Sequence, residues 1–315
     1  MNKYLVLDIG GSSIKYALME EKLGFLDRGK HRIGNTNIDD LLEDIKTVAD
    51  IFNGEYKAVA ISMPGRIDTA RGYAYSGGVF EFLVDLPFEK MVSEKLGGIK
   101  VVIANDANCA CRAELDAGVL KGTQGSCALI IGTSIGGALV INGKIWGGFN
   151  NAAGEAAWLP LDLKNVWSVP YTDALHAEGM SGEATSAMGL LNEYEINKGE
   201  KPRYSAEGGV EFFEAVQAGE KAAVDALNSY AKTFAAEIFS IQAMLDLEKY
   251  AIGGGISANP IVRNSIDREL AYLYDKYTEG ATCKPEVVTC QYGQDANLIG
   301  ALCFMLDYEN ELETN

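Results

Sequence analysis

Two short glycine turns carry the residue types that bind phosphate. One occupies residues 8–15 (Asp-Ile-Gly-Gly-Ser-Ser-Ile-Lys) and the other residues 131–137 (Ile-Gly-Thr-Ser-Ile-Gly-Gly), each between apolar, strand-like runs. Glycine at a turn lets backbone N–H groups approach an anion that a Cβ would keep away. The same residue recurs at four matching positions: Leu7 and Leu129, Ile9 and Ile131, Gly10 and Gly132, Ser12 and Ser134. We therefore predict a duplicated strand–turn–strand unit whose two turns bind the phosphates of one nucleotide.

Charged and hydroxyl side chains accompany both turns. Asp8 precedes Gly10, Gly11 and Ser12, and Lys15 follows them, so a carboxylate that can hold Mg²⁺ through water stands beside backbone donors and a cation. The second turn supplies Gly132 and the hydroxyl of Thr133. Ordinary hairpin turns use the same residues, so either turn alone is weak evidence. The matched pair favours phosphate binding.

A third glycine cluster, 253–255, ends a strand-like run and precedes a helix that begins near Ala258. This arrangement places the backbone of Gly254 and Gly255 at the carboxyl end of a strand, where open α/β sheets bind ligands. Taken alone, the cluster is a strand-to-helix turn. Its spacing is not that of a dinucleotide fingerprint.

Asp106 is the candidate general base. It directly follows the apolar run 100–104 and opens a predicted helix over 107–120, so its carboxylate is expected at the carboxyl end of a strand. Helix capping is the alternative. Asn105 and Asn108 supply more polar groups than one cap needs, which favours catalysis. Glu155, in a run of small apolar residues, is either a surface carboxylate or a contact for a hydroxylated ligand, and the glycines around it favour the second role.

Composition limits the possible partners. The chain has 315 residues, 48% of them hydrophobic, and 44 acidic against 27 basic residues give a formal net charge of −17. Such a field repels nucleic acids and anionic membranes, so we expect neither as a partner. The first strand-like run begins directly after Lys3, and no apolar run is long enough to span a bilayer. We expect a cytoplasmic protein.

Hydrophobic periodicity predicts alternating strands and helices, the pattern of an α/β protein. Strands are predicted over 4–8, 15–19, 58–62, 100–104, 128–132, 138–141 and 250–253, and helices over 39–53, 88–96, 107–120, 209–218, 221–247, 259–277 and 296–308. Weak periodicity over 165–203 predicts loops and short helices. We predict an N-terminal domain over 1–118, on which a C-terminal helix at about 297–315 packs, and a larger C-terminal domain over 119–296.

Six motifs, in this order, resemble those of the ROK family of sugar kinases. They occur at 8–15, 64–68 (Pro-Gly-Arg-Ile-Asp), 105–108 (Asn-Asp-Ala-Asn), 132–137, 153–155 (Ala-Gly-Glu) and 253–257 (Gly-Gly-Gly-Ile-Ser). The resemblance extends from the first residue to about 306. It implies an actin-like ATPase (ribonuclease H-like) fold, with two α/β domains around a cleft, and ATP-dependent phosphorylation of a sugar hydroxyl, most simply the 6-OH.

The resemblance also implies residue roles. Asp106 is similar in position to the family's base, and Asn105 and Glu155 to its sugar contacts. Its nucleotide contacts correspond to Gly10, Gly11, Thr133, Gly254 and Gly255. Asp8 would lie near Mg²⁺, and dimers are common in the family. Because the chain starts at the first phosphate strand, without a preceding DNA-binding region, we expect a kinase. A sugar-sensing regulator on the same fold is the alternative.

The chain departs from the family pattern at its sugar-binding segments. Trp158 stands where many members have a zinc-ligating His, and no cysteine lies between Cys127 and Cys283, so we expect a branch without zinc. Glu178 and Glu183 are both candidates for the sugar contact that the zinc loop carries. Gly77 and Gly78 stand where glucose-specific members usually carry an Asn-Leu pair, after the Pro-Gly motif that contains Gly65. This Gly-Gly version resembles the β-glucoside kinases of the family, where small residues leave room for a larger sugar, and the zinc-free pattern also resembles N-acetylmannosamine kinases. A simple turn is the alternative for Gly78.

Overall fold

The computed structural model describes residues 2–34, 37–168 and 178–314. The chain divides into two compact units. Unit 1 comprises Met1–Gly118, Gly147–Ala152 and Asp295–Asn315, and unit 2 comprises Val119–Trp146 and Ala153–Gln294. Each unit has its own hydrophobic core. The assignment of two domains over 1–118 and 119–296 stays a prediction.

Unit 1 is built on a five-stranded sheet in the order β3-β2-β1-β4-β7. Its strands are β1 (Lys3–Gly10), β2 (Ser13–Glu20), β3 (Phe25–Arg32), β4 (Ala58–Met63) and β7 (Lys100–Asn105). Strands β1 and β2 form an antiparallel hairpin, and β4 and β7 run parallel to β1. A small separate hairpin joins β5 (Ile67–Asp68) and β6 (Tyr73–Ala74).

The helices of unit 1 are α1 (Ile38–Ile51), α2 (Phe88–Lys95), α3 (Asp106–Ala117) and the final helix α10 (Ala296–Thr314). A short 3₁₀ turn, Gly293–Asp295, precedes α10. Asn37 begins α1 because its side chain accepts a hydrogen bond from the N–H of Asp40 at 3.0 Å. Helix α10 packs on α3, where a side chain at Gly300 would collide with the carbonyl oxygen of Cys109.

Unit 2 contains a second five-stranded sheet in the order β10-β9-β8-β11-β12. Its strands are β8 (Gly125–Ile131), β9 (Ile135–Ile141), β10 (Lys144–Ile145), β11 (Lys249–Gly254) and β12 (Glu286–Thr289). Strands β8 and β9 form an antiparallel hairpin, and β11 and β12 run parallel to β8. Both sheets therefore pair an antiparallel hairpin with two parallel strands in the same order, which confirms the duplication predicted from the sequence.

The helices of unit 2 are α4 (Leu163–Ser168), α5 (Ser181–Ala184), α6 (Ala187–Asn197), α7 (Gly209–Gln217), α8 (Lys221–Leu245) and α9 (Pro260–Tyr277). One 3₁₀ turn, Ala156–Trp158, precedes α4, and another, Ile256–Ala258, lies between α8 and α9. The long helix α8 buries Leu227, Phe234 and Ile238 in the core, as its periodicity predicts.

The predicted strands and helices are all present, with ends that differ by up to six residues. The structure also contains several strands and helices that the sequence analysis does not predict. Strand β3 was not predicted, because its sequence, Phe-Leu-Asp-Arg-Gly-Lys-His-Arg, is mostly polar. As the edge strand of its sheet, it has only β2 as a partner. Part of the predicted loop region over 165–203 lies outside the described residues, and the rest contains the three-turn helix α6. Across the part of the chain that the structure describes, no helix is long and apolar enough to cross a membrane.

Candidate active site

The first glycine turn closes the hairpin between β1 and β2. Gly10, Gly11 and Ser12 are exposed, so their backbone groups are accessible to a ligand. Lys15 lies directly across the hairpin from Asp8, and its Nζ is 3.6 Å from Asp8 Oδ2. The structure thus places the five predicted phosphate and metal residues of unit 1 in one hairpin.

Asp8 is held at the end of β1 by two neutral donors. Its side chain is only about a tenth exposed, and Oδ1 accepts hydrogen bonds from Ser62 Oγ at 3.1 Å and from Asn297 Nδ2 at 3.0 Å. The sequence analysis missed Ser62 and Asn297. Ser62 is a lone hydroxyl in a buried apolar strand, and Asn297 lies far away in sequence at the start of α10. Together they fix the carboxylate while Oδ2 stays directed toward Lys15.

Asn105 and Asp106 lie at the point where β7 ends and α3 begins. Asn105 is the helix cap, because its Oδ1 accepts from the N–H of Asn108 at 3.0 Å. Asp106 is the first residue of the helix and is half-buried, and its Oδ1 accepts from the N–H of Ala107 at 2.8 Å. The capping role considered for Asp106 thus belongs to Asn105. This leaves the Asp106 carboxylate at the positive end of α3, where a negative charge is stabilised.

Parallel pairing brings these residues to one edge of the sheet in unit 1. Asp8 is in register with Ser62 on β4, and the next residue, Met63, is in register with Asn105 on β7. Neighbouring strands are about 4.8 Å apart, so the Asp8 and Asn105 backbones lie about 10 Å apart.

Gly65 and Gly78 lie in two loops of unit 1 that pack closely against each other. Gly65 has φ +100°, and a Cβ there would collide with the carbonyl oxygen of Ser76. Gly78 has φ +61°, and its Cβ would lie 3.1 Å from that of Pro64. Asn105 Nδ2 donates to the Gly65 carbonyl oxygen at 2.9 Å, which ties this loop to the start of α3. Close packing accounts for both glycines, and an enlarged sugar pocket stays a prediction.

The second glycine turn closes the hairpin between β8 and β9 in unit 2. Gly132 and Thr133 are exposed, and the Gly132 N–H donates to the Ser134 carbonyl oxygen at 2.8 Å. The Gly132 carbonyl oxygen accepts from the N–H of Ala187 at 3.0 Å, and Ser134 Oγ donates to the Gly182 carbonyl oxygen at 3.2 Å. Helices α5 and α6 therefore support this turn from behind.

Gly254 and Gly255 lie beside the second turn. Gly254 is paired with Ile131, the last residue before that turn. It has φ +96°, and a Cβ there would collide with the Ile131 carbonyl oxygen. The space around Gly255 is open. The structure therefore brings Gly132, Thr133, Gly254 and Gly255 together at the carboxyl edge of the sheet in unit 2.

Glu155 is positioned by a close backbone contact between Gly154 and β9. A Cβ at Gly154 would lie 2.8 Å from the Gly137 carbonyl oxygen, so the loop must pass directly over the strand. More than a third of Glu155 is exposed, yet the protein around it raises the pKa of its carboxyl by partial desolvation. A carboxylate fixed in this way, without being fully buried, suits hydrogen bonding to a hydroxylated ligand.

The two alternative sugar contacts, Glu178 and Glu183, differ in setting. Glu178 is exposed in a turn next to residues 169–177, which lie outside the described part of the chain. Glu183 is half-buried on α5, one residue after Gly182, which packs against Ala157. The structure thus places the helix that carries Glu183 beside the short turn that follows Glu155.

The donor set around the first turn suits magnesium better than zinc. One carboxylate, Asp8, stands beside exposed backbone groups and hydroxyls, and Mg²⁺ takes such oxygen ligands together with water and phosphate. Among residues 2–34, 37–168 and 178–314, no three His, Cys, Asp or Glu side chains cluster as metal ligands would. The expectation that zinc is absent stays a prediction.

Comparison with known proteins assigns the family. Residues 4–308 match the model of the ROK family, and the chain therefore belongs to that family, as predicted from its motifs. An N-acetyl-D-glucosamine kinase from Vibrio atlanticus is 25% identical over 307 residues, which cover 95% of this chain and 98% of the relative.

Solved structures agree with this assignment. A ROK family protein from Streptococcus pneumoniae, in complex with sucrose, is 24% identical with a TM-score of 0.81, over 98% of this chain and 99% of that one. A ROK family glucokinase from Streptomyces griseus, in complex with glucose and AMPPNP, is 22% identical with a TM-score of 0.78, over 96% and 98% of the two chains. The predicted α/β, actin-like ATPase fold is confirmed.

Proposed function

We propose that this protein is an ATP-dependent sugar kinase that transfers the γ-phosphoryl group of ATP to a sugar hydroxyl. The observation that carries the proposal is the placement of Asp8 and Asp106 at the carboxyl edge of one sheet, beside a glycine turn with accessible backbone groups. A carboxylate for the metal and a second carboxylate for the acceptor are the two groups that such a transfer needs.

In the proposed reaction, the sugar hydroxyl oxygen forms a bond to the γ-phosphorus as the bond from that phosphorus to the ADP oxygen breaks. Asp106 accepts the hydroxyl proton. Asn105, Glu155 and either Glu178 or Glu183 bind the sugar, and the loops of Gly65 and Gly78 are also proposed to contact it. Gly10, Gly11, Ser12, Lys15, Gly132, Thr133, Gly254 and Gly255 bind the nucleotide. The backbone donors of the two turns stabilise the charge that the phosphates carry.

Asp8 is the residue that would hold Mg²⁺, through water. The metal ion would neutralise charge on the β- and γ-phosphates. Lys15 Nζ, 3.6 Å from Asp8 Oδ2, places a positive charge beside this carboxylate, and that charge would attract a phosphate oxygen.

The acceptor is proposed to be a hexose, an N-acetylhexosamine or a β-glucoside, phosphorylated on its 6-OH. N-acetylglucosamine kinase among the relatives, and glucose and sucrose in the solved structures, support this range. An assay of ADP release with glucose, N-acetylmannosamine, N-acetylglucosamine, fructose, allose and cellobiose tests it. Release that depends on one sugar identifies the acceptor, and ATP hydrolysis that is independent of all of them contradicts the proposal.

A regulator that binds sugar without turnover is the alternative. The side chain that caps α3 is that of Asn105, so the Asp106 carboxylate is not required as the helix cap, which favours the kinase. Sugar binding that is not accompanied by ADP release with any of the sugars tested would favour the regulator. A cytoplasmic location, where ATP is supplied, and a homodimer remain part of the proposal.

A further inference from the structure

Glu237 is a carboxyl group buried in the interior of unit 2. It lies on α8 with 0% exposure, among the residues of the hydrophobic core. Within the described ranges, neither of its oxygens makes a hydrogen bond of good geometry, although the hydroxyls of Ser181 and Thr185 lie close enough to influence its pKa. Burying an unpaired carboxylate is costly, so such a group is either protonated or retained for a purpose. The proposed reaction gives Glu237 no role and therefore does not explain why a carboxyl group is buried here.

The polar neighbours of Glu237 are two hydroxyls at the ends of α5. Ser181 and Thr185 are fully buried, and their hydroxyl oxygens are 2.8 Å apart. Thr185 Oγ1 also donates to the Ser181 carbonyl oxygen at 2.9 Å. From α8, the Tyr230 hydroxyl donates to the Thr185 carbonyl oxygen at 2.7 Å. The short helix α5 thus rests on α8 through buried polar groups, and Glu237 is the carboxyl group of this set.

Helix α5 in turn supports the second glycine turn. The carbonyl oxygen of Gly182, on α5, accepts a hydrogen bond from Ser134 Oγ. A Cβ at Gly182 would lie 2.9 Å from Ser134 Oγ. The Gly132 carbonyl oxygen is bonded to the N–H of Ala187, just after α5. A continuous set of contacts therefore runs from Glu237 through α5 to the turn, within one unit. A shift of α5 would therefore strain the contacts that support the turn.

The charge state of Glu237 depends on its surroundings. Burial raises the pKa of its carboxyl to about 7, and the hydroxyls of Ser181 and Thr185 oppose that shift. Tyr230 is the titratable group that faces it, and burial and the Glu237 charge raise the pKa of Tyr230. In the described part of α6, α7 and α9, which also pack near α8, no charged side chain contributes to the shift. Near neutral pH, both forms of the carboxyl are therefore populated.

We propose that Glu237 is a positioning residue for nucleotide binding: when protonated, it supports α5 and so holds the second glycine turn in its phosphate-binding geometry. When Glu237 is ionised, the buried charge disfavours this packing and weakens nucleotide binding. The inference rests on the nucleotide role proposed for the turn.

The test is the affinity for AMPPNP with Mg²⁺, measured from pH 6 to 9 in the wild type and in Glu237→Gln. Glutamine has the shape of the protonated carboxyl but does not titrate. We expect wild-type affinity to fall by roughly tenfold more than that of the variant between pH 6.5 and 8.5. Titration of the nucleotide itself is the same in both proteins and cancels. Glu214→Gln, on α7, controls for the loss of one negative charge elsewhere in unit 2.

Parallel pH profiles for the wild type and Glu237→Gln would overturn the inference and leave the kinase proposal intact. Lack of AMPPNP binding at any pH would overturn both. If Glu237→Gln does not fold, proton uptake by the wild type is measured near pH 7, from binding heats in buffers of different ionisation enthalpy. Comparison with uptake near pH 9 corrects for the nucleotide. Proton uptake that occurs near pH 7 but not near pH 9 supports the inference. Equal proton uptake at the two pH values overturns it.

Discussion

Asn105 donates from Nδ2 to the carbonyl oxygen of Gly65 at 2.9 Å, while its Oδ1 accepts from the N–H of Asn108 at 3.0 Å. One side chain therefore fixes both the start of α3, where the proposed base lies, and the loop that is proposed to contact the sugar. Capping contributes stability, whereas the bond to Gly65 positions a loop. The two contributions can be separated by experiment.

Replacing Asn105 by alanine removes the cap and the bond to Gly65. We expect a loss of about 1 kcal/mol of unfolding free energy from the cap, together with an increase of about tenfold in the KM for sugar. Asn37→Ala is the matched control, because Asn37 caps α1 in the same way. It should cost similar stability and leave the KM for sugar unchanged. Equal kinetic effects in the two variants would contradict a sugar-site role for Asn105.

Asp8→Asn tests the proposed metal contact. The amide retains an oxygen that can accept from Ser62 and Asn297, but it lacks the negative charge that attracts Mg²⁺. We expect half-maximal activity to need roughly tenfold more Mg²⁺, as measured by initial rates in a magnesium titration. Ser62→Ala removes one hydrogen bond and keeps the charge, so it should have a smaller effect. A magnesium requirement that does not change in Asp8→Asn would exclude the role.

Alanine substitutions at the neighbouring positions Gly254 and Gly255 separate an effect on stability from an effect on nucleotide binding. Alanine at Gly254 meets the Ile131 carbonyl oxygen at a positive φ, so we expect a loss of more than about 2 kcal/mol of stability. Alanine at Gly255 has open space and should leave stability within about 1 kcal/mol of the wild type. If Gly255 contacts nucleotide, its new methyl group should raise the KM for ATP several-fold. Denaturant unfolding and ATP kinetics give the two readouts.

Stability should depend on pH through Glu237. Its pKa is about 7 in the folded protein against 4.5 for an unperturbed glutamate carboxyl, so the folded state binds more protons between these values. The wild type therefore loses stability, relative to Glu237→Gln, as the pH rises from 4.5 to 7. The relative loss reaches about 3 kcal/mol and is constant above pH 7. Urea unfolding of both proteins at pH 5, 6, 7 and 8 measures it. A constant difference would show that Glu237 does not titrate in this range.

Glycine positions made much of the site predictable from the sequence. Gly10 and Gly132 lie in exposed turns at strand ends, and Gly254 has a positive φ and approaches the Ile131 carbonyl oxygen so closely that few other residues tolerate its geometry. Asp106 was predictable because it follows an apolar strand and opens a helix. Signals of this kind depend only on residues that are close in sequence. Hydrophobic periodicity locates the strands and helices, and the glycines and the aspartate stand at their ends.

Residues that depend on tertiary contact were not predictable. Asn297 bonds to Asp8 only because α10 packs in unit 1, and nothing near it in sequence indicates a partner. Glu237 lies within the polar and apolar pattern of a long helix, where a lone glutamate suggests an exposed face. Gly182 lies in a segment of weak periodicity, and nothing near it in sequence indicates that it allows α5 to approach Ser134. Each requires knowledge of what packs against it.

The most direct test of the proposed function is sugar-dependent ADP release by Asp106→Asn, with the best acceptor found for the wild type. Asparagine keeps the shape of the side chain but cannot accept the hydroxyl proton as a base. We expect kcat to fall by roughly 10²- to 10⁴-fold while AMPPNP affinity stays within about twofold of the wild type. Turnover comparable to the wild type would contradict the central claim that Asp106 deprotonates the acceptor.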